Sequence, residues 1–220
     1  MNVLAIDSST EFASVALSIK GELRYKEHDA KRQHAHLLLP MIESLLAEAG
    51  LGFSQLDTLV YGRGPGSFTG LRIACSVAKG LAYAHDLPLI PVSSLAAIAE
   101  QALKQFNEVC VLSVIDARMN QLYWAQFIDP SQEIEERVAD ANEILIQSER
   151  PIILAGVGYE PYLQLLSPAI KAKISHYLTI YPKADAMIRL ALSGKIKAVS
   201  AAEALPIYVR NQITQGEPRG

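Results

Sequence analysis

The chain opens with short apolar runs separated by polar turns, and further along the hydrophobic period lengthens from two residues to about 3.6. Residues 3–6 are apolar and end at the polar turn Asp7-Ser8-Ser9-Thr10. From Phe12 to Ile19 the alternation is strict, with Ala13, Val15, Leu17 and Ile19 on one face and Ser14, Ala16 and Ser18 on the other. This predicts a strand whose second face is small and partly polar. Lys20-Gly21-Glu22 reads as a hairpin turn, and Leu23 and Tyr25 are expected to continue the inward face on a third strand.

Between residues 33 and 49 the pattern becomes helical. Leu38, Met41, Ile42, Leu45, Leu46 and Ala49 form the stripe, Leu37 and Leu39 widen it, and Gly50 closes the helix. Residues 56–61 predict another strand, followed by Gly62-Arg63-Gly64-Pro65-Gly66-Ser67-Phe68-Thr69-Gly70 and a helix to about residue 84. On that helix Arg72, Ser76 and Lys79 make one narrow polar line. The remaining circumference carries Leu71, Ile73, Ala74, Cys75, Val77, Ala78, Leu81 and Ala82. A helix apolar nearly all round is buried on more than one side. The sheet supplies one side; a neighbouring helix or another chain must supply the other.

Residues 88–92 predict a short strand, and Ser93 or Ser94 caps a helix to about Lys104. Residues 109–115 are a strongly apolar strand ending at Asp116, followed by a polar turn and a strand over 122–128. That order repeats the opening of the chain, 116 − 7 = 109 residues later. The repetition predicts two related α/β lobes, 1–107 and 108–220, with the last segment packing back on the first. An acidic stretch follows (Glu133, Glu135, Glu136, Asp140), then a short helix over 141–146 and a strand over 151–154 leading into Ala155-Gly156-Val157-Gly158-Tyr159. Helices are expected at 161–166 and 184–193, an extended arm or strand at 205–210, and a fraying polar tail at 212–220. Strands mixed with helices place the chain in the α/β class with mixed sheets.

Composition narrows the function classes. The 220 residues are 50% hydrophobic and 20% charged, with a net charge of −3, so no basic excess equips the chain to grip nucleic acid alone. Cys75 and Cys110 lie in apolar runs without metal or redox spacing, which predicts buried free thiols in a reducing compartment. The N-terminus lacks a basic region and carries Asp7, and no run reaches the ~18 apolar residues of a membrane span. A soluble, cytoplasmic protein is expected.

The glycine-rich loop lies between a strand and a helix N-terminus, where free N–H groups favour an anion. It is neither a Walker A loop, lacking Gly-Lys-Ser/Thr, nor a dinucleotide fingerprint, since Thr69 stands where the third glycine belongs. A tight connection capped by Ser67 or Thr69 explains it equally well. Asp7 with Ser8, Ser9 and Thr10 could hold phosphate and a metal, and Asp116 is the matching carboxylate of the second turn; ordinary Asx turns are the alternative. His34 and His36 are two apart and cannot share a metal on a helix, so no metal site is expected. Ser67 follows Gly66 directly, which does not fit the G-x-S-x-G of a serine hydrolase.

The motifs L-A-I-D-S-S-T at 4–10, G-R-G-P-G-S-F-T-G-L-R at 62–72, D-A-R-M-N at 116–120 and P-I-Y-V-R at 206–210 together resemble the TsaB (YeaZ) family across essentially the whole chain. The resemblance implies a two-lobed fold of the actin/Hsp70/sugar-kinase type. It implies a non-catalytic part in forming N6-threonylcarbamoyladenosine beside the anticodon of tRNAs reading codons that begin with A. The catalyst would be the paralogue TsaD, which carries the metal and transfers the group from threonylcarbamoyl-adenylate; the ATPase TsaE would join them. The H-x-x-x-H pair of TsaD is missing here, and no glycine follows Asp116 for close phosphate approach. A nucleotide cleft is therefore expected only as a vestige formed by Asp7, Ser8, Ser9, Thr10, Asp116, Gly156 and Gly158, with magnesium-ATP or ADP entering at the level of the complex.

The resemblance also implies that the helices at 33–49 and 69–84 bundle with those of TsaD, or of a second copy when the chain is alone. The expected contact residues are His34, Leu37, Leu38, Met41, Leu45, Ile73, Ala74, Val77, Ala78 and Leu81, with Ala74, Ala78 and Ala82 allowing close helix approach. Transfer RNA would be met only as part of the complex. The rival reading is an ATP-dependent phosphotransferase or ATPase using Asp7 and Asp116.

Overall fold

In the computed structural model the chain is described over residues 1–30 and 33–209. Arg210, the last residue of the expected arm, and the 212–220 tail lie outside the described residues.

Strands β1 (Asn2–Asp7), β2 (Phe12–Ile19), β3 (Glu22–Asp29), β4 (Thr58–Gly64) and β5 (Leu89–Ser93) form a sheet in the order β3-β2-β1-β4-β5. A second sheet holds β6 (Cys110–Arg118), β7 (Gln121–Phe127), β8 (Arg137–Asp140), β9 (Ile152–Val157) and β10 (Ile174–Thr179) in the order β10-β9-β6-β7-β8. The connectivity is the same in both. Each begins with an antiparallel meander of three strands and adds two strands parallel to the first. Asp7 ends β1, and Asp116 lies near the end of its counterpart β6. This is the duplicated architecture of the actin/Hsp70/sugar-kinase fold.

The helices differ between the two halves. The first sheet carries α1 (His34–Ala49) and α2 (Phe68–His85), followed by α3 (Ser94–Leu103). Among the described residues the second has a single turn at Ala141–Glu143, another at Glu160–Tyr162 and the short α4 (Pro168–Lys171), followed by α5 (Ala184–Leu192). The helices expected at 141–146 and 161–166 are thus reduced to the single turns Ala141–Glu143 and Glu160–Tyr162.

Side-chain alternation in the strands sets three cores. Val3, Ala5, Val60 and Val92 face α3 and α5, which pack against each other and against Val111, Ile115 and Ile153 of the second sheet. Leu4, Ile6, Val15, Leu17 and Leu59 face α1 and α2 on the opposite side. Leu112, Val114, Trp124 and Leu154 bury the outer face of the second sheet beneath its short turns. The αL conformation of Gly50 closes α1, and the Ser93 hydroxyl caps α3 by accepting the Ala96 N–H at 3.0 Å.

Leu23 and Tyr25 depart from the expectation for β3, because both are exposed, Tyr25 to 59%. The register pairs Val15 with Lys26 and Leu17 with Arg24, so the charged residues share the α1 face. There Lys26 Nζ donates to Ser44 Oγ at 2.9 Å and Arg24 to the Glu48 carbonyl at 3.0 Å. An edge strand lined with charges also resists pairing with other chains.

Candidate functional site

The glycine-rich loop encloses the protein's own backbone. A Cβ at Gly66 would lie 2.2 Å from the Ser9 carbonyl oxygen, and one at Gly70 would lie 1.8 Å from that of Ser8. The Asp7–Thr10 turn therefore fills the space that the glycines open. Ser8 Oγ donates to the Gly70 carbonyl at 2.8 Å, and the Ser67 N–H donates to the Ser9 carbonyl at 2.7 Å. Ser67 caps α2 by a long 3.4 Å bond from the Gly70 N–H, while Thr69 is exposed. Gly62 meets Asp7, and Gly64 meets Leu71 and the Ile207 carbonyl; Pro65 is buried and Phe68 exposed.

Asp7 is fully buried. Its Oδ2 accepts the Ser9 N–H at 3.1 Å and hydroxyl at 2.9 Å, while Oδ1 has no hydrogen-bond partner among the described residues. Burial, opposed by the two Ser9 bonds, pushes the carboxyl up to about 7. Ser8, Ser9 and Thr10 are buried with it. Asp116 is held by its own lobe, accepting from Tyr162 Oη at 2.8 Å and the Arg118 N–H at 2.8 Å, with the Arg118 guanidinium 3.0 Å from Oδ2. Gly156 and Gly158 serve strand packing, since their Cβ atoms would lie 1.7 Å from the Val114 carbonyl and 2.8 Å from Asp116 Cβ. The residues expected to form the vestigial cleft thus divide into two packed clusters, one in each lobe.

The helix pair offers the exposed apolar surface. Of the residues expected to meet a partner, Leu38, Met41, Leu45, Ala74 and Ala78 are buried against the protein's own first sheet, as is Ala82. His34 is buried too, with Nε2 2.8 Å from the Thr10 carbonyl. This corrects the reading of Ala74, Ala78 and Ala82 as a stripe for a foreign helix: their small size lets α2 lie close to its own sheet. Leu37, Ile73, Val77 and Leu81 stay half-buried at the surface. Around them the outward face carries Leu39, Ser76, Gly80 and Tyr83, the last 85% exposed. A groove between α1 and α2 is lined by Ala35, Phe68, Thr69, Arg72, Ile73, Ser76 and Val77.

Two of the three residues in the polar line of α2 hold the returning chain. Lys79 Nζ donates to the Ala204 carbonyl at 2.9 Å, and Arg72 Nε donates to Tyr208 Oη at 2.9 Å with its guanidinium 3.7 Å from the centre of the Phe68 ring. The Tyr61 hydroxyl donates to the Leu205 carbonyl at 3.1 Å, and the Ile207 N–H to the Arg63 carbonyl at 2.7 Å. Sequence reasoning placed Tyr208 in the 205–210 arm but gave no sign of its bond to Arg72, and it missed Glu136 as the partner of Arg63, at 2.9 Å. A lone Glu in an acidic stretch carries no signal for a contact seventy-three positions away.

Among the described residues no cluster of three or more His, Cys, Asp or Glu side chains is placed to hold a metal, and no helix is long and apolar enough to cross a membrane. The family model described as "TsaD: tRNA N6-adenosine threonylcarbamoyltransferase" matches residues 27–201. The tRNA threonylcarbamoyladenosine biosynthesis protein TsaB of Haemophilus influenzae is 36% identical, over 97% of this chain and 95% of that protein. The TsaB of Escherichia coli is 34% identical, over 97% and 96%. The solved structure of YeaZ from Pseudomonas aeruginosa superposes with a TM-score of 0.85 at 33% identity, over 94% of this chain and 99% of that one.

Proposed function

The chain belongs to the TsaB family, within the breadth of the TsaD family model, and we propose that it is the non-catalytic partner of TsaD in forming threonylcarbamoyladenosine on tRNA. It docks on TsaD through the outward face of α1 and α2, and on a second copy of itself through the same face when TsaD is absent. TsaD transfers the threonylcarbamoyl group from its adenylate; TsaE and the tRNA join at the level of the complex, in the cytoplasm.

The observation that carries this reading is Gly80. It stands in the middle of α2 with helical neighbours, is exposed, and a Cβ there would meet nothing within 4 Å. An exposed glycine inside a helix costs about 0.5–1 kcal/mol relative to alanine, and none of the described residues approaches its Cβ position. It is flanked by Val77, Leu81 and the exposed Tyr83, so close approach of a partner helix gives the glycine a reason. Phosphoryl transfer through Asp7 and Asp116 is disfavoured, because the first is sealed beneath Gly62 and Met187 and the second is engaged by Tyr162 and Arg118.

Size-exclusion chromatography with light scattering tests the reading, on this chain alone and mixed with TsaD of the same organism. A 1:1 complex that forms at the expense of the homodimer, and is lost in Gly80→Glu, supports one shared helical face. Two unshifted peaks with the wild-type chain would overturn it.

A further inference from the structure

The connection between β7 and β8 sends one carboxylate of the second lobe back into the first. The Glu136 side chain is 5% exposed and that of Arg63 17%. Glu136 Oε2 accepts from the Arg63 guanidinium at 2.9 Å, and its Oε1 accepts the hydroxyl of Ser93, which also caps α3. These two donors sit on neighbouring strands at an irregularity. Gly62 pairs with Val92 and Gly64 with Ser93, so Arg63 is the extra residue of a bulge. A bulge residue is not held by the ladder, and the direction of its peptide depends on where its side chain is anchored. The carbonyl of Arg63 is the acceptor for Ile207, midway along the arm that Tyr61, Arg72 and Lys79 hold beside α2.

Arm and helix face are continuous. Phe68 lines the groove between α1 and α2, and its ring centre is 5.3 Å from that of Tyr208. Leu205, Ile207 and Tyr208 are exposed beside it, extending the apolar surface beyond the helices. The side chain of Arg63 faces the second lobe while its carbonyl faces this rim.

We propose that Glu136 is a positioning residue for the partner-docking face: by anchoring Arg63 at the bulge it fixes the arm that forms the rim of that face. The proposal rests on the docking role argued above. A residue sealed inside the molecule then governs affinity at a surface it does not touch.

Hydrogen exchange on the full-length chain and binding to TsaD test it together. In Glu136→Gln the amide of Ile207, which donates to the Arg63 carbonyl, is expected to exchange about ten-fold faster while those of α1 are unchanged, and the affinity for TsaD to fall about ten-fold through faster dissociation. The double variant Arg63→Met/Glu136→Gln leaves no unpaired buried charge, so it decides the matter if the single variant fails to fold. It is expected to match the single variant in both readouts. Unchanged exchange in the arm overturns the proposal, and so does a loosened arm with undiminished affinity. A wild-type chain that does not bind TsaD overturns the docking reading itself, and arm exchange measured on the free chain separates that failure from failure of the Glu136 anchor.

Discussion

Gly62 and Asp7 occupy a space that admits no Cβ: one built on Gly62 would lie 1.9 Å from Asp7 Oδ1 and 3.1 Å from Met187 Cε. The carboxylate is fully buried and tied to Ser9, so it cannot swing aside into solvent. Gly62→Ala is expected to lower stability by about 1–3 kcal/mol, the usual cost of overpacking. The double variant Asp7→Ala/Gly62→Ala should lose less than the two single losses added, because the smaller residue 7 vacates the clashing position. Urea unfolding of the four proteins checks this, and strict additivity would sink it.

The same burial makes stability depend on pH. Asp7 titrates near 7 in the folded chain, against an ordinary value of 3.8. Folding thus favours the neutral acid: its contribution is complete below about pH 4, falls as pH rises through about 7, and is flat above. Each pH unit inside that window is worth 1.36 kcal/mol, so the full span is about 4 kcal/mol. Asp7→Asn has no such group, and wild type should lose about 3 kcal/mol relative to it between pH 5 and pH 7.5. Parallel curves of unfolding free energy against pH for the two proteins would count against a neutral buried Asp7.

Much of the fold was legible because the duplication writes the same grammar twice. An apolar strand, an aspartate, a turn and a second strand recur, and both meanders form. What failed did so where alternation alone sets the facing. Leu23 and Tyr25 continue the apolar count, but the register across Ser18 and Ala16 turns them outward. Residues 174–179 form β10 although their short, polar-spotted pattern gave no period. On α2 the apolar circumference predicted a second burial surface, and Ile73, Val77 and Leu81 stay half-buried outside the sheet contact. Periodicity could not say which residues face the chain's own sheet, and Ala74 and Ala78 proved to be on that side. The polar line on α2 was visible, yet its purpose came only with the arm. Arg63 stood out in its loop, but Glu136 is joined to it only by the packing of two lobes.

Between the lobes, Arg189 of α5 forks onto Glu100 of α3, Nε to Oε1 at 2.7 Å and the terminal nitrogen to Oε2 at 2.8 Å, and also bonds Asp185 at 2.6 Å. Lysine offers charge without the fork. Arg189→Lys should therefore cost about 1–3 kcal/mol, in the range of hydrogen bonds to charged groups. Arg189→Met, which strands Asp185 and leaves Glu100 with only Lys104 at 3.4 Å, should cost more, about 3–5 kcal/mol. Thermal unfolding ranks them, and equal midpoints for Lys and wild type would show that charge alone suffices.

Gly80 separates stability from assembly in a single position. The site is helical, exposed and empty around its Cβ, so Gly80→Ala removes a backbone liability without meeting any atom. The free chain should gain about 0.5–1 kcal/mol. Gly80→Glu should retain part of that gain, since glutamate is a good helix former, but it would put a charge where a partner helix must approach. The expected pattern is a higher melting temperature for both variants, measured at a concentration low enough to keep the chain monomeric. Binding to TsaD should be weakened by alanine and lost with glutamate. If Gly80→Glu raised stability and bound TsaD as well as wild type does, the outward face of α2 would not be the docking surface. Loss of binding together with a lower melting temperature would instead mean that the helix itself had been damaged. Circular dichroism across the melt tells these two results apart.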